Sequence, residues 1–207
     1  MNFKSLLNII VEFLLCINLS IFLMGGFPST TQAAAVDIDE GSEWDYFKGT
    51  KQPPYKQPPY KWSHIGFEGF DENWFRGRTG IGYGHPNKVV TKLDDMKGSY
   101  QTVYARREIT LNESSYRLLQ QDSTKITLSI ICDGSFKAWL NGTELIRSND
   151  MRKVSNERLS QTLDIDITAF ARELFLKGSN VLAIQCSNDD IASDNFLFIP
   201  TLQMIGE

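Results

Sequence analysis

The amino-acid sequence predicts an all-β protein, a β-sandwich of jelly-roll type with one short helix. Three observations point there. From residue 101 onward apolar and polar residues alternate with period two in run after run, the pattern of strands with one buried face. Asn141-Gly142 stands between two such runs, and Asn-Gly in that setting is the strongest short-range hairpin signal. Only Thr168 to Leu176 (TAFARELFL) carries a helical pattern, with Gly178 where such a helix would stop.

The elements follow in chain order. A lysine at position 4 precedes an apolar run, Phe13 to Met24, then Gly-Gly, Pro28 and the small-residue stretch Gln32-Ala33-Ala34-Ala35. Charged start, apolar core and small-residue site are the marks of a secretory signal peptide over residues 1–35. The run is shorter than the roughly 17–25 residues that span a bilayer, so cleavage near Ala35 is expected rather than anchoring. The expected product is secreted or periplasmic, with no membrane insertion of the mature chain. Residues 36–42 read as a flexible lead-in and 43–207 as one domain.

From Trp44 to Gly84 the chain is aromatic, glycine-rich and punctuated, and reads as long connections whose rings cap the open ends of the sandwich. Within it KQPPYKQPPYKW (51–62) repeats QPPYK. It holds no Pro-x-x-Pro, so it reads as a stretched loop rather than a polyproline ligand. Gly80-Ile-Gly-Tyr-Gly84 lacks the spacing and the following helix of a phosphate loop, and reads as a tight turn.

The strands are then Gln101–Leu111, Lys125–Cys132, Phe136–Leu140, Thr143–Arg147, Gln161–Ile167, Asn180–Ser187 and Phe196–Ile205. In the first, Val103, Ala105, Ile109 and Leu111 share one face, and Thr102, Tyr104, Arg106 and Glu108 share the other. Cys132 and Cys186 each end a strand in phase with its inward residues. A disulfide between facing sheets and two buried free thiols are both compatible with that pattern.

Composition narrows function. The hydrophobic fraction of 42%, with 13 Phe, 7 Tyr and 4 Trp, is ample for a core. A net charge of −4 offers no basic patch to nucleic acid or to an anionic membrane surface. Two histidines, His64 and His85, and the absence of Cys-Cys ligand spacing argue against a zinc site. Carboxylates cluster at Asp71-Glu72, Asp94-Asp95 and Asp189-Asp190, with Asp194 close by. Two of them across one cleft would suit glycoside hydrolysis, whereas loop acids on an acidic protein are ordinarily solvated. Loop carboxylates also suit a structural calcium, placed near Asp71 and Asp194, and no other cofactor is expected. Trp62, Trp74 and Tyr83 offer flat apolar faces that match the C–H faces of sugar rings, with Asp71 near enough to bond hydroxyls.

Several stretches, in order, resemble a known family. Phe136-Lys-Ala-Trp-Leu-Asn-Gly-Thr-Glu-Leu, Asp164-Ile-Asp-Ile-Thr and Lys177-Gly-Ser-Asn-Val-Leu-Ala-Ile-Gln-Cys-Ser-Asn188 are similar to the galactose-binding-domain-like jelly roll. In particular they resemble the sugar-binding domain of family 2 glycoside hydrolases. Tyr46-Phe47-Lys48-Gly49-Thr50, Pro58-Pro59, Trp62, Phe70-Asp71, Gly80 to Gly84 and Thr102-Val103-Tyr104-Ala105-Arg106 resemble related secreted bacterial modules. Where members often carry Asp-Asp-Gly, this chain has Cys132-Asp133-Gly134, which favours a packing role for Cys132. The resemblance implies a module without catalytic residues of its own. The expected function is therefore a secreted, non-catalytic module binding a glycan through Trp62, Trp74, Tyr83 and Asp71. The alternative is a structural or protein-interaction module partnered by an envelope protein, and a small glycosidase ranks third.

Overall fold

A computed structural model describes residues 36–54, 61–148 and 162–206. The leader expected over 1–35 and the second half of the QPPYK repeat lie outside the described residues. Among those described, twelve strands form two six-stranded sheets, with two short helices. Sheet I runs in the order β10 (Leu163–Asp166), β7 (Lys125–Cys132), β12 (Phe196–Ile205), β4 (Ile81–Tyr83), β5 (Thr91–Lys92), with β1 (Val36–Ile38) also paired to β12. Sheet II runs β3 (Trp74–Arg78), β2 (Glu43–Lys48), β6 (Thr102–Leu111), β11 (Gly178–Asn188), β8 (Gly134–Leu140), β9 (Thr143–Arg147). Every pairing is antiparallel except β4 with β5.

Alternation builds the core. β7 sends Ile126, Leu128 and Ile130 inward, and β11 answers with Leu182 and Ile184, all at most 2% exposed. Val103 and Ala105 of β6, Phe196 and Phe198 of β12, and Trp44 of β2 fill the space between them. Each such fully buried large apolar side chain contributes about 1.5–3 kcal/mol relative to exposure. Cys132 of β7 and Cys186 of β11 are joined in a disulfide that ties one sheet to the other.

The structure differs from expectation in three places. Residues 36–42 are not a loose lead-in, because Val36–Ile38 pairs in register with Met204 to Leu202 and buries Val36 and Ile38. Among the described residues there are two helices, not one: α1 (Glu113–Leu119) precedes the expected α2 (Thr168–Leu174). α1 starts where the Asn112 side chain accepts the backbone N–H of Ser115, a local cap that releases the chain from the end of β6. Finally, the aromatics of the N-terminal third do not cap the ends of the sandwich. Trp44 and Tyr46 enter the core, and most of the others cover the outer face of sheet II. Among the described residues no helix is long and apolar enough to cross a membrane.

Candidate functional site

Strand register defines the outer face of sheet II, because cross-strand partners share a face. One row reads Arg76, Asp45, Arg106, Ala183, Trp139, Glu144 across the six strands from β3 to β9. The next reads Trp74, Phe47, Tyr104, Gln185, Lys137, Arg147. Alternation alone would leave this face to solvent, yet Phe47, Tyr104, Arg106 and Ala183 are buried. The cover is the segment 61–73, which lies over the face as a strap.

The strap is held by rings. Trp62 meets Tyr104 edge-on at 5.3 Å and Trp139 at 5.4 Å, which places it across β11, where Ala183 offers only a methyl group. Phe67 and Phe70 pack against Trp74 at 5.5 and 5.3 Å, and Trp74 packs against Phe47 at 5.4 Å. The His64 ring lies flat against the β8–β9 turn, so close that a Cβ at Gly142 would collide with it. Burial, and then the charge of Lys61, lower the pKa of His64 from its ordinary value.

Arg106 lies beneath this cover. Its guanidinium stacks over Phe67 at 5.2 Å and Phe70 at 5.0 Å and donates to the His64 carbonyl at 3.1 Å. Burial works against its charge, with Glu108 and Asp45 opposing that effect through space. Toward β8 and β9 the cover ends. Trp62, Trp139, Lys137 and Gln185 are partly exposed there, leaving two indoles and two hydrogen-bonding side chains on a flat, rigid floor.

The residues singled out from sequence separate into two places. Trp62 and Trp74 share the outer face of sheet II, linked through Tyr104 and Phe47, whose rings are 6.4 Å apart. Asp71 stands beside them: its carboxylate accepts the Asn73 N–H and its carbonyl the Trp74 N–H, the turn that launches β3. Tyr83 does not join them, since it sits in sheet I, packs against the core and donates to the Ser193 carbonyl. Asp194 lies near Tyr83 and is paired with Lys97. Asp71 lies in the turn before β3 and Asp194 in the loop between β11 and β12, and among the described residues no three His, Cys, Asp or Glu side chains gather to hold a metal. Within the Gly80–Gly84 stretch, Ile81–Tyr83 is a short strand rather than a turn, while Gly80 and Gly84 on either side take the positive φ, 74° and 76°, expected of these glycines. Gly82 lets β4 lie against β12, where a Cβ would strike the Phe196 carbonyl.

Arg106, Trp139, Tyr104 and Phe67 were not singled out from sequence. For Arg106, Tyr104 and Trp139 the signal was faint but present, as an arginine and two rings at positions that alternation turns outward, whereas Phe67 lies in the strap, which has no alternation to read. A second polar contact, His85 Nε2 to Asp133 Oδ2 at 2.7 Å, joins the segment after β4 to the β7–β8 turn.

No protein-family model matches the chain, and no curated protein matches it. Solved structures do resemble it. A β-glucuronidase of Bacteroides uniformis superposes with a TM-score of 0.51 at 12% identity, over 83% of this chain and 18% of that one. The β-glucuronidase of Bifidobacterium dentium complexed with coumarin-3-O-glucuronide gives 0.51 at 14% identity, over 85% of this chain and 31% of that one. At such identities the likeness is one of fold. At that level the resemblance to the sugar-binding domain of family 2 glycoside hydrolases holds. The chain spans less than a third of either enzyme's length.

Proposed function

We propose that this chain is an exported, non-catalytic sandwich module that binds carbohydrate on the outer face of sheet II. One observation carries the reading: the partly exposed pair Trp62 and Trp139, 5.4 Å apart, beside Lys137 and Gln185 on the sheet floor. Indole faces accept the C–H side of a pyranose ring, and amide and ammonium groups at the rim bond its hydroxyls. A sheet floor holds these groups still, so little ordering cost falls on binding. Relative to the sequence reading, Trp62 keeps its place and Trp139 takes that of Tyr83. Trp74 and Asp71 lie apart from the pair, at the β3 side of the same face.

The fold supports the carbohydrate reading, since the similar solved chains are named as glycosidases. Those chains extend far beyond the part matched here, and none of their chemistry is assigned to this one. Export is supported by the apolar leader and by the disulfide, a bond that persists in oxidising compartments.

The test is a glycan array probed with the full chain, followed by Trp62→Ala and Trp139→Ala. Each substitution should weaken the best glycan roughly tenfold or more, as truncating a central aromatic contact does, while the protein still melts cooperatively. A blank array overturns the glycan reading, and turnover of a chromogenic glycoside overturns the non-catalytic one. One observation favours a second reading, a protein-interaction module: Phe170 and Leu176, on and beside α2, are each 51% exposed. A stoichiometric protein partner lost on Phe170→Ser would support it.

A further inference from the structure

The turn between β8 and β9 carries Asn141-Gly142, and Asn141 is the only asparagine in the chain that a glycine follows. That pair has a chemistry of its own. The Gly142 peptide nitrogen, with no side chain to shield it, can attack the carbonyl carbon of the Asn141 side chain. The new C–N bond closes a succinimide ring, and the side-chain NH2 takes the peptide proton and departs as ammonia. Water then opens the ring. Attack at one carbonyl leaves aspartate, and attack at the other leaves isoaspartate, whose main chain runs through the former side-chain carbon. The only co-reactant is water.

In the folded chain the attack is held off. Asn141 Nδ2, the leaving nitrogen, donates to the Leu174 carbonyl and to Asn180 Oδ1, each at 2.8 Å. Its Oδ1 accepts the Val181 N–H at 2.8 Å, and its backbone N–H donates to the Val181 carbonyl at 2.9 Å. These partners belong to α2 and to the start of β11. To meet the Gly142 nitrogen the side chain must turn back over its own peptide and release them. Gly142 itself is crowded by the His64 ring, which a Cβ there would strike, so the turn has little room to close into a ring.

The same contacts make the product unwelcome. The Leu174 carbonyl and Asn180 Oδ1 are acceptors that require donors at position 141, and Asn180 is fully buried. A carboxylate has no donor and sets a negative charge against both of them. Isoaspartate also adds a methylene to the main chain in a two-residue turn that fixes the β8–β9 register.

We propose that Asn141 is a deamidation site, kept silent by the native network and released when the β8–β9 turn opens, so that a reversible opening becomes an irreversible loss of the fold. Sequence alone makes Asn141 the most reactive asparagine in every state of the chain. The structure makes it inert in one state and reactive in the other.

The experiment holds the full chain at warm, mildly alkaline pH in two forms, folded in buffer and unfolded in concentrated urea. Peptide mass and an isoaspartate assay follow the 141–142 bond. In urea Asn141 should convert before any other asparagine. In the folded chain it should convert about tenfold or more slowly, in step with the fraction of molecules whose turn is open. On removal of urea only the unconverted fraction should regain the native melt. Asn141→Asp, which installs one product directly, should melt well below the unaltered chain or fail to fold. Equal conversion in the two states overturns the protection, and earlier conversion of another asparagine in urea overturns the assignment to Asn141. An Asn141→Asp variant that melts with the unaltered chain overturns the irreversibility.

Discussion

Asn141 shows how one side chain can hold three elements at once. It is the only described non-glycine residue with a positive φ, 52°, as the first position of the β8–β9 turn requires. Its amide donates to the Leu174 carbonyl at the end of α2 and to Asn180 Oδ1, both at 2.8 Å, and its oxygen accepts the Val181 N–H at 2.8 Å. Asn180, fully buried in β11, spends its remaining bonds on Leu176 and Gly178, so the network is closed. Asn141→Ala should therefore cost about 2–4 kcal/mol, from lost bonds, stranded partners and left-handed strain. Asn141→Gly loses the same bonds and strands the same partners but tolerates the turn, so it should cost less by the left-handed strain. Thermal melts of the two variants check this, and equal melting temperatures would remove strain from the account. The turn itself was legible in the Asn-Gly pair. The network was not, because Leu174, Asn180 and Val181 lie 33 to 40 positions along the chain from Asn141.

The stability of the strap at 61–73 depends on pH through His64. His64 packs its ring on Gly142, lends its carbonyl to Arg106 and has a lowered pKa from burial and from Lys61. With the covered state favouring neutral imidazole, an uncovered or unfolded His64 binds protons more readily. Closure is thus fully stabilised above the ordinary pKa of 6.5 and loses stability as pH falls below it toward the lowered value. The protection factors of the strap amides, Phe67 above all, should fall between neutral and mildly acid pH once the slower intrinsic exchange at lower pH is divided out. In His64→Gln that fall should vanish, and its persistence would place the titrating group elsewhere. The strap also marks where sequence reading stopped. Alternation put Tyr104 and Arg106 opposite Val103 and Ala105, as found, but period two reports only which residues share a face. Whether that face meets water depends on a segment some forty positions earlier, whose contacts are tertiary. α1 was missed for a different reason: seven residues make two turns, too few for a 3.6-residue period to stand out, and its cap at Asn112 is a single-residue signal. Trp62 was legible as a loop aromatic, Trp74 opens β3 instead of lying on a loop, and Tyr83, equally aromatic, faces inward because its register partner Phe196 does.

At the scale of the whole molecule the chain repeatedly crosses between sheets: β6 in II, β7 in I, β8 and β9 in II, β10 in I, β11 in II, β12 in I. Almost every contact that closes the sandwich is therefore long in sequence, and ordering the chain is what folding must overcome. The Cys132–Cys186 bond acts on that term directly, since it joins the middle of sheet I to the middle of sheet II across a separation of 54 residues. Closing a loop of that length in the unfolded chain is worth about 4 kcal/mol in the chain-entropy account. For a domain of this size that corresponds to a fall of about 10 °C in melting temperature. The double variant Cys132→Ala/Cys186→Ala should show it, and reductant should bring the unaltered protein down to nearly the same temperature. The glycan binding proposed above should be unchanged below the melt, because the bond lies between the sheets while Trp62 and Trp139 lie on the far face of sheet II. A reduced protein that melts with the oxidised one would mean the cross-link adds nothing to the core. A reduced protein that stays folded but loses the glycan binding proposed above would mean that the outer face takes its shape from the interior packing and not from the strap.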